Sequence, residues 1–182
     1  MTKDQLRREL LSKLETLSSD QIDSLSFRVT HQLIKLLSAR SELIEQVGGS
    51  FLPLKAEIAP VYQELLHHVP LNLAFPVHFE GSMVFGIPDG MPRGATWLEP
   101  PYALAEPTWF LVPGVGFDLR GARLGRGKGF YDRYLETRSV LKIGIAWSEQ
   151  VVTNIPIEHH DVQMDFIITE SFCWSVSQQK KF

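Results

Sequence analysis

A single cysteine, Cys173, is all the thiol this 182-residue chain carries. That excludes an internal disulfide framework and a cysteine-built zinc cage, and it suits a reducing compartment. Long apolar runs are missing too; none approaches the roughly 18 residues that span a bilayer. The opening Met1-Thr-Lys-Asp-Gln-Leu-Arg-Arg-Glu9 is polar and helical in pattern, unlike a secretory leader, so a cytoplasmic location is expected. Nor is there an excess of positive charge. Lys and Arg total 18 against 21 Asp and Glu, leaving a net −3, so neither nucleic acid nor a membrane is an expected partner. Repeats, low-complexity tracts and linkers are also absent. An apolar content of 44% is ordinary for a globular protein, so one domain over residues 1–182 is expected, burying roughly 70% of its unfolded surface. A monomer is the default expectation.

What is present begins with two helix-start signals. Thr2-Lys-Asp-Gln5 and Ser18-Ser-Asp-Gln21 are capping boxes. Leu6, Leu10, Leu14 and Leu17 follow the first at helical spacing. Ile22, Leu25, Val29, Leu33, Leu36 and Leu37 follow the second, in a helix expected to run to Ala39. Gly48-Gly-Ser50 reads as a break, Ser50–Leu54 as a short strand or strand end, and Ala59–Val69 as a third helix. Strands are expected over Asn72–Phe79, Ser82–Gly86, Thr108–Val112, Leu141–Trp147 and Phe166–Thr169, with turn chemistry at Asp89–Gly94. Gly127–Arg138 reads as a helix and Ser177–Phe182 as a frayed end. Strands separated by helices predict an α/β fold: a three-layer α/β/α sandwich with a mainly parallel sheet, Rossmann-like.

The densest chemistry lies between Leu111 and Leu135. An apolar strand leads into a glycine-rich basic loop and then a helix. From Arg120 to Arg133 there are five cations (Arg120, Arg123, Arg126, Lys128, Arg133) and one anion, Asp132, so this island of +4 sits in a remainder of −7. Gly125, Gly127 and Gly129 alternate with charged or apolar residues, a pattern that lets successive amides cradle a phosphate. The loop is neither of two well-known nucleotide fingerprints. A Walker A loop needs glycine where Ala122 stands and Ser or Thr where Gly129 stands, and in a dinucleotide loop the third glycine falls one residue later. A solvated turn and an RNA-contacting stretch with Phe130, Tyr131 and Tyr134 are the competing readings. The strand before and the helix after favour a small anionic ligand.

Pro113-Gly-Val-Gly-Phe-Asp118, then Gly121, then Arg123-Leu-Gly-Arg-Gly-Lys-Gly-Phe-Tyr-Asp-Arg133 resembles the signature of the 5-formyltetrahydrofolate cyclo-ligases, also called 5,10-methenyltetrahydrofolate synthetases. Other landmarks follow the same pattern in order: Lys3-Asp-Gln-Leu-Arg7, Phe51-Leu52 with Glu57, Trp97-Leu-Glu-Pro100, Gly144–Gln150, Ile155-Pro156, His160-Asp161, Met164-Asp165 and Thr169-Glu170. Phe130 departs from it, standing where the family has the first tyrosine of Tyr-Tyr-Asp.

The resemblance implies an ATP- and Mg2+-dependent ligase that closes 5-formyltetrahydrofolate to 5,10-methenyltetrahydrofolate, releasing ADP and phosphate. It implies ATP binding by Lys3, Arg7, Arg123, Leu124, Gly125, Arg126, Gly127, Lys128, Gly129, Phe130 and Tyr131, with Arg126 and Lys128 catalytic near the phosphoryl group in flight. Folate would meet Leu52, Glu57, Gly125, Gly127 and Gly129. Asp132 and Asp161 would hold the metal; the adjacent His159-His160 invites a transition metal, but an oxygen-liking ion better fits a nucleotide site. A related enzyme acting on another substrate, or a non-catalytic nucleotide- or RNA-binding module, are the alternatives.

Overall fold

The computed structural model describes residues 1–92 and 97–181. The expected turn at Asp89–Gly94 therefore has Arg93 and Gly94 outside the described residues, and Phe182 of the expected frayed end lies outside them as well.

Both capping boxes form, each with its side chain and backbone bonds reciprocated. They start α1 (Lys3–Glu15) and α2 (Ser19–Ala39). A 3-10 turn at Ser41–Leu43 leads into β1 (Val47–Gly49), and α3 is Tyr62–His68. The remaining elements are β2 (Asn72–Phe79), β3 (Ser82–Pro88), β4 (Tyr102–Ala105), β5 (Trp109–Pro113), β6 (Gly116–Asp118), β7 (Arg123–Leu124), α4 (Phe130–Leu135), β8 (Leu141–Ile145), β9 (Val151–Val152), β10 (Phe166–Ile168), β11 (Cys173–Ser175) and β12 (Lys180–Lys181).

Among the described residues the main sheet has nine strands in the order β12-β11-β10-β8-β5-β1-β2-β3-β4. Its centre, β10-β8-β5-β1-β2, is parallel throughout. Both flanks are antiparallel: β3 and β4 beside β2, β11 and β12 beside β10. The sheet is thus mixed around a parallel core. A second sheet of three short strands, β7-β6-β9, lies alongside.

The alternation along the central strands sorts side chains to two faces. Trp109, Leu111, Ile143, Ile145, Phe166 and Ile168 join the core under α2 and α3. Phe110, Val112, Ile167 and Phe117 join Tyr134 and Leu135 of α4 on the other side. Leu6 and Leu10 of α1 pack against Val115, Ala122, Leu124 and Ile155, over the small sheet.

Several expectations change. Ser50–Leu54 holds no strand, β1 having ended at Gly49, and the helix expected over Ala59–Val69 is the shorter α3. Gly48-Gly49 is not a break but the body of β1. A Cβ on Gly48 would stand 2.3 Å from the Trp109 ring, and one on Gly49 2.3 Å from the Phe110 ring. Two aromatic residues of the neighbouring strand cover β1, and glycine is what leaves them room. The end at Ser177–Phe182 is not wholly frayed either, since Lys180 and Lys181 pair with Ser175 and Trp174. The helix expected over Gly127–Arg138 shrinks to the six residues of α4, because Gly127 (φ +93°) and Gly129 (φ +63°) hold left-handed conformations that cannot continue a helix. Among the described residues no helix is long and apolar enough to cross a membrane.

Candidate active site

The chain from Pro113 to α4 builds the centre of the site. Asp118 turns it. The fully buried carboxylate accepts backbone N–H bonds from Arg120 (2.9 Å), Ala122 (3.2 Å) and Ile155 (2.9 Å), plus two from the Arg120 guanidinium (2.7 and 3.3 Å). This closes the β6-β7 hairpin and presents Arg123. The Arg123 guanidinium is only 6% exposed. It donates to the Pro113 carbonyl (3.0 Å) and, from one nitrogen, to both Asp132 oxygens (2.8 and 2.7 Å). Arg123 therefore joins the end of β5 to the first turn of α4 and fixes where the glycine loop between them runs.

That loop is the partition between two clefts. On one side lies a mainly apolar cleft of about 440 Å³, walled by Phe51, Leu52, Leu54, Pro76, Met83, Trp97, Phe130 and Tyr131, with Glu57 and Arg126 as polar groups inside it. On the other lies a polar cleft of about 490 Å³, with Lys3, Arg7, Arg133 and His160 facing Asp4, Glu136, Glu158 and Asp161. Arg123, Gly125, Lys128, Gly129 and Asp132 border both.

The polar cleft draws its second wall from α1. The Lys3 ammonium lies 2.5 Å from Asp161 and 3.4 Å from Glu158. Asp161 also accepts the Glu158 N–H at 2.7 Å. Burial disfavours the charge on both Lys3 and Asp161, but their mutual attraction prevails, raising the lysine pKa and lowering that of the aspartate. One turn on, Arg7 donates to the Gly125 carbonyl (2.8 Å) and pairs with Asp4. Lys128 makes no ion pair or hydrogen bond among the described residues. It is an exposed cation at the junction of the clefts.

In the apolar cleft, Glu57 is 11% exposed. One oxygen accepts the Leu54 N–H at 2.9 Å, and the other lies 3.5 Å from Arg126 Nε. Burial pushes its pKa up; the Leu54 N–H and the arginine only partly offset it. A buried carboxylate with so little compensation suits a ligand that brings paired N–H donors. Aromatic rings also line this cleft, with Trp97 edge-on to Phe130 (centroids 5.4 Å apart) and 5.4 Å from His78.

The residues singled out from sequence gather around these two clefts, with some changes of side. Lys3, Arg7, Leu124, Gly127 and Asp161 border the polar cleft only. Leu52, Glu57, Arg126, Phe130 and Tyr131 border the apolar one only, so Arg126, Phe130 and Tyr131 lie on the side away from Lys3 and Arg7. At six residues α4 offers little helix dipole, so the groups at the loop suited to an anion are its amides and side-chain cations. Sequence reasoning passed over Pro76, His78 and Met83 on one side and Asp4, Glu136 and Glu158 on the other. A signal existed for the first group: Pro76 and His78 share a face of β2 by its two-residue period, and His78 pairs with Met83 across the hairpin.

No cluster of three or more His, Cys, Asp or Glu able to hold a metal occurs among the described residues. Of the five carboxylates that border the polar cleft, Asp132 and Asp161 are the two singled out from sequence, each paired with a cation. That donor set fits a hard cation such as Mg2+, which binds through one or two carboxylates together with substrate phosphates; it does not fit a preformed protein cage.

Comparison with known proteins gives one consistent result. The model of the 5-formyltetrahydrofolate cyclo-ligase family matches residues 90–170. A 5-formyltetrahydrofolate cyclo-ligase of Mycoplasma pneumoniae is 31% identical over 174 residues, 93% of this chain and 99% of that one. The solved structure of a 5,10-methenyltetrahydrofolate synthetase from that organism superposes with a TM-score of 0.75 at 30% identity, again over 93% and 99% of the two chains. The 5-formyltetrahydrofolate cyclo-ligase of Mycolicibacterium smegmatis is 34% identical over 117 residues, which span 62% of this chain and 58% of that protein. The NMR structure of the Aquifex aeolicus 5,10-methenyltetrahydrofolate synthetase gives a TM-score of 0.76 at 28% identity, over all of this chain and 96% of that one.

Proposed function

The chain belongs to the 5-formyltetrahydrofolate cyclo-ligase family, and from that premise we propose that it is an ATP-dependent ligase converting 5-formyltetrahydrofolate to 5,10-methenyltetrahydrofolate. One observation carries this reading: a single glycine loop is the shared wall of an apolar cleft and a polar one. A reaction that joins a nucleotide phosphate to a group on a planar heterocycle needs both ligands to meet at such a wall.

In this reading the pterin lies in the apolar cleft with its N–H donors on Glu57, and Leu52 and Phe51 flank the ring. The triphosphate enters the polar cleft between α1 and the loop, met by Lys3, Arg7 and the amides from Leu124 to Gly129. The γ-phosphoryl group passes to the formyl oxygen, and the bond to ADP breaks. N10 then attacks the formyl carbon and loses its proton. The C–O bond breaks, so phosphate departs with the former formyl oxygen. No protein nucleophile is needed; the work is positioning and charge neutralisation. Lys128, uncommitted and bordering both clefts, is the residue best situated to follow the phosphoryl group. Arg126 joins it when freed from Glu57. Gly125, Gly127 and Gly129 let the backbone approach both ligands. Phe130 and Tyr131 wall the folate side. Mg2+ held by Asp132 and Asp161 would neutralise triphosphate charge.

The covered faces of the sheet, α2 and α3 on one side and α4 on the other, support a three-layer, Rossmann-like sandwich forming one domain over residues 1–182. A cytoplasmic monomer acting on free small molecules, without nucleic acid or membrane partners, completes the proposal.

The test is direct. Purified protein with 5-formyltetrahydrofolate, ATP and Mg2+ should develop the methenyl chromophore. Lys128→Ala should slow it by about a hundredfold or more, the usual loss when a donor to developing charge is removed. Folded wild-type protein that forms no chromophore would sink the proposal, and full activity in Lys128→Ala would remove that residue from the chemistry.

A further inference from the structure

The two arginines of the loop are held very differently. Arg123 is buried and locked by three hydrogen bonds. Arg126 is 36% exposed, and its one charged contact among the described residues is Glu57 at 3.5 Å. Its side chain hangs in the apolar cleft, yet Gly125 and Gly127, on either side of it in the chain, both border the polar cleft. The backbone of Arg126 therefore sits in the partition with a glycine on each side, and a turn of its side chain is the move that would take the guanidinium toward the polar cleft.

We propose that the Glu57–Arg126 ion pair couples the two clefts, so that folate binding releases Arg126 to the nucleotide and the two ligands bind with positive cooperativity. The inference rests on the functional reading above. A nucleotide that captured Arg126 on its own would leave Glu57 buried with only the Leu54 N–H, and an uncompensated buried carboxylate is costly. A pterin removes that cost, because its N–H donors satisfy the carboxylate while the partly exposed Arg126 passes to water or to phosphate. The raised pKa of Glu57 agrees, since it marks a charge already short of partners. Linkage then requires each ligand to strengthen the other by the same factor, and couplings of this kind commonly reach about five- to tenfold.

Titration calorimetry on the full chain tests this with a nonhydrolysable ATP analogue and Mg2+, with and without saturating 5-formyltetrahydrofolate. Wild-type protein should bind the analogue about five- to tenfold more tightly in the presence of folate. Arg126→Gln should bind it equally with and without folate. Glu57→Gln, in which Arg126 is free from the outset, should bind it without folate about as tightly as the wild-type folate complex does. Circular dichroism checks that each variant is folded. Unchanged wild-type affinity on adding folate, or an enhancement that survives in Arg126→Gln, overturns the inference. If binding is independent while the methenyl chromophore still forms, the inference alone fails; if neither folate binding nor chromophore is seen, the functional reading fails with it.

Discussion

Tyr131 ends in a buried hydroxyl with no hydrogen-bond partner among the described residues. Its ring packs against the cores on both faces of the sheet, and the Arg123 guanidinium lies 5.9 Å from the ring centroid. Burial first, then the nearby Tyr62 and Glu57, push the phenol pKa well up, so the group stays neutral. An unsatisfied buried hydroxyl costs stability that a methine hydrogen in its place does not. Tyr131→Phe should therefore stabilise the ligand-free protein by about 1 kcal/mol, read as a higher urea midpoint at unchanged slope. A lower midpoint would mean that the hydroxyl bonds an ordered water and is part of the native network. Phe130, next to it, carries no hydroxyl: its ring meets Trp97 edge-on, and the Arg133 guanidinium lies 5.4 Å from its centroid.

At the scale of elements, β1 is the least conventional piece. Three residues, two of them glycine, occupy a central position between β2 and β5. Their contribution lies in backbone pairing and in the room they give Trp109 and Phe110. Trp109 is fully buried and donates its indole N–H to the Leu43 carbonyl at 2.9 Å, which fixes the ring over Gly48. Gly48→Ala must displace that ring or bend the strand, so a loss of about 1–3 kcal/mol is expected, the usual cost of overpacking. Chemical denaturation measures it; a neutral result would show that β1 has slack. The same strand leads directly into Phe51 and Leu52 of the apolar cleft. Folate affinity should fall in the same variant.

Across the whole molecule, the polar cleft is closed by residues far apart in the chain. Lys3 meets Asp161, 158 residues away, and Arg7 meets the Gly125 carbonyl. What holds α1 in place is the apolar seam beneath these contacts, where Leu10 is 1% exposed and reaches within 2.6 Å of where a Gly116 Cβ would stand. Leu10→Ala should cost about 2–5 kcal/mol, as buried leucine truncations do. It should also weaken binding of the Mg2+-nucleotide more than binding of folate, because α1 borders the polar cleft and not the apolar one. Equal losses for both ligands would show that the two clefts move together.

Local chemistry was enough for a good part of this protein. The capping boxes set the starts of α1 and α2, short apolar runs marked β2, β3, β5, β8 and β10, and the spacing of glycine and basic residues picked out the loop that lies between the two clefts. These features depend on neighbours within a few residues, and periodicity and turn propensity report such neighbours faithfully. Long-range packing settled the rest. Strands of two or three residues, such as β7, β9 and β12, exist only because partners wait for them, and Gly48-Gly49 is a strand only because Trp109 and Phe110 lie over it. The placing of Arg126 in the apolar cleft beside Glu57, of Lys3 beside Asp161 and of Arg123 beside Asp132 likewise came from folding. Charge type is written in the chain, but which opposite charge a side chain meets depends on the segments that folding brings together, Lys3 and Asp161 from near opposite ends of the chain.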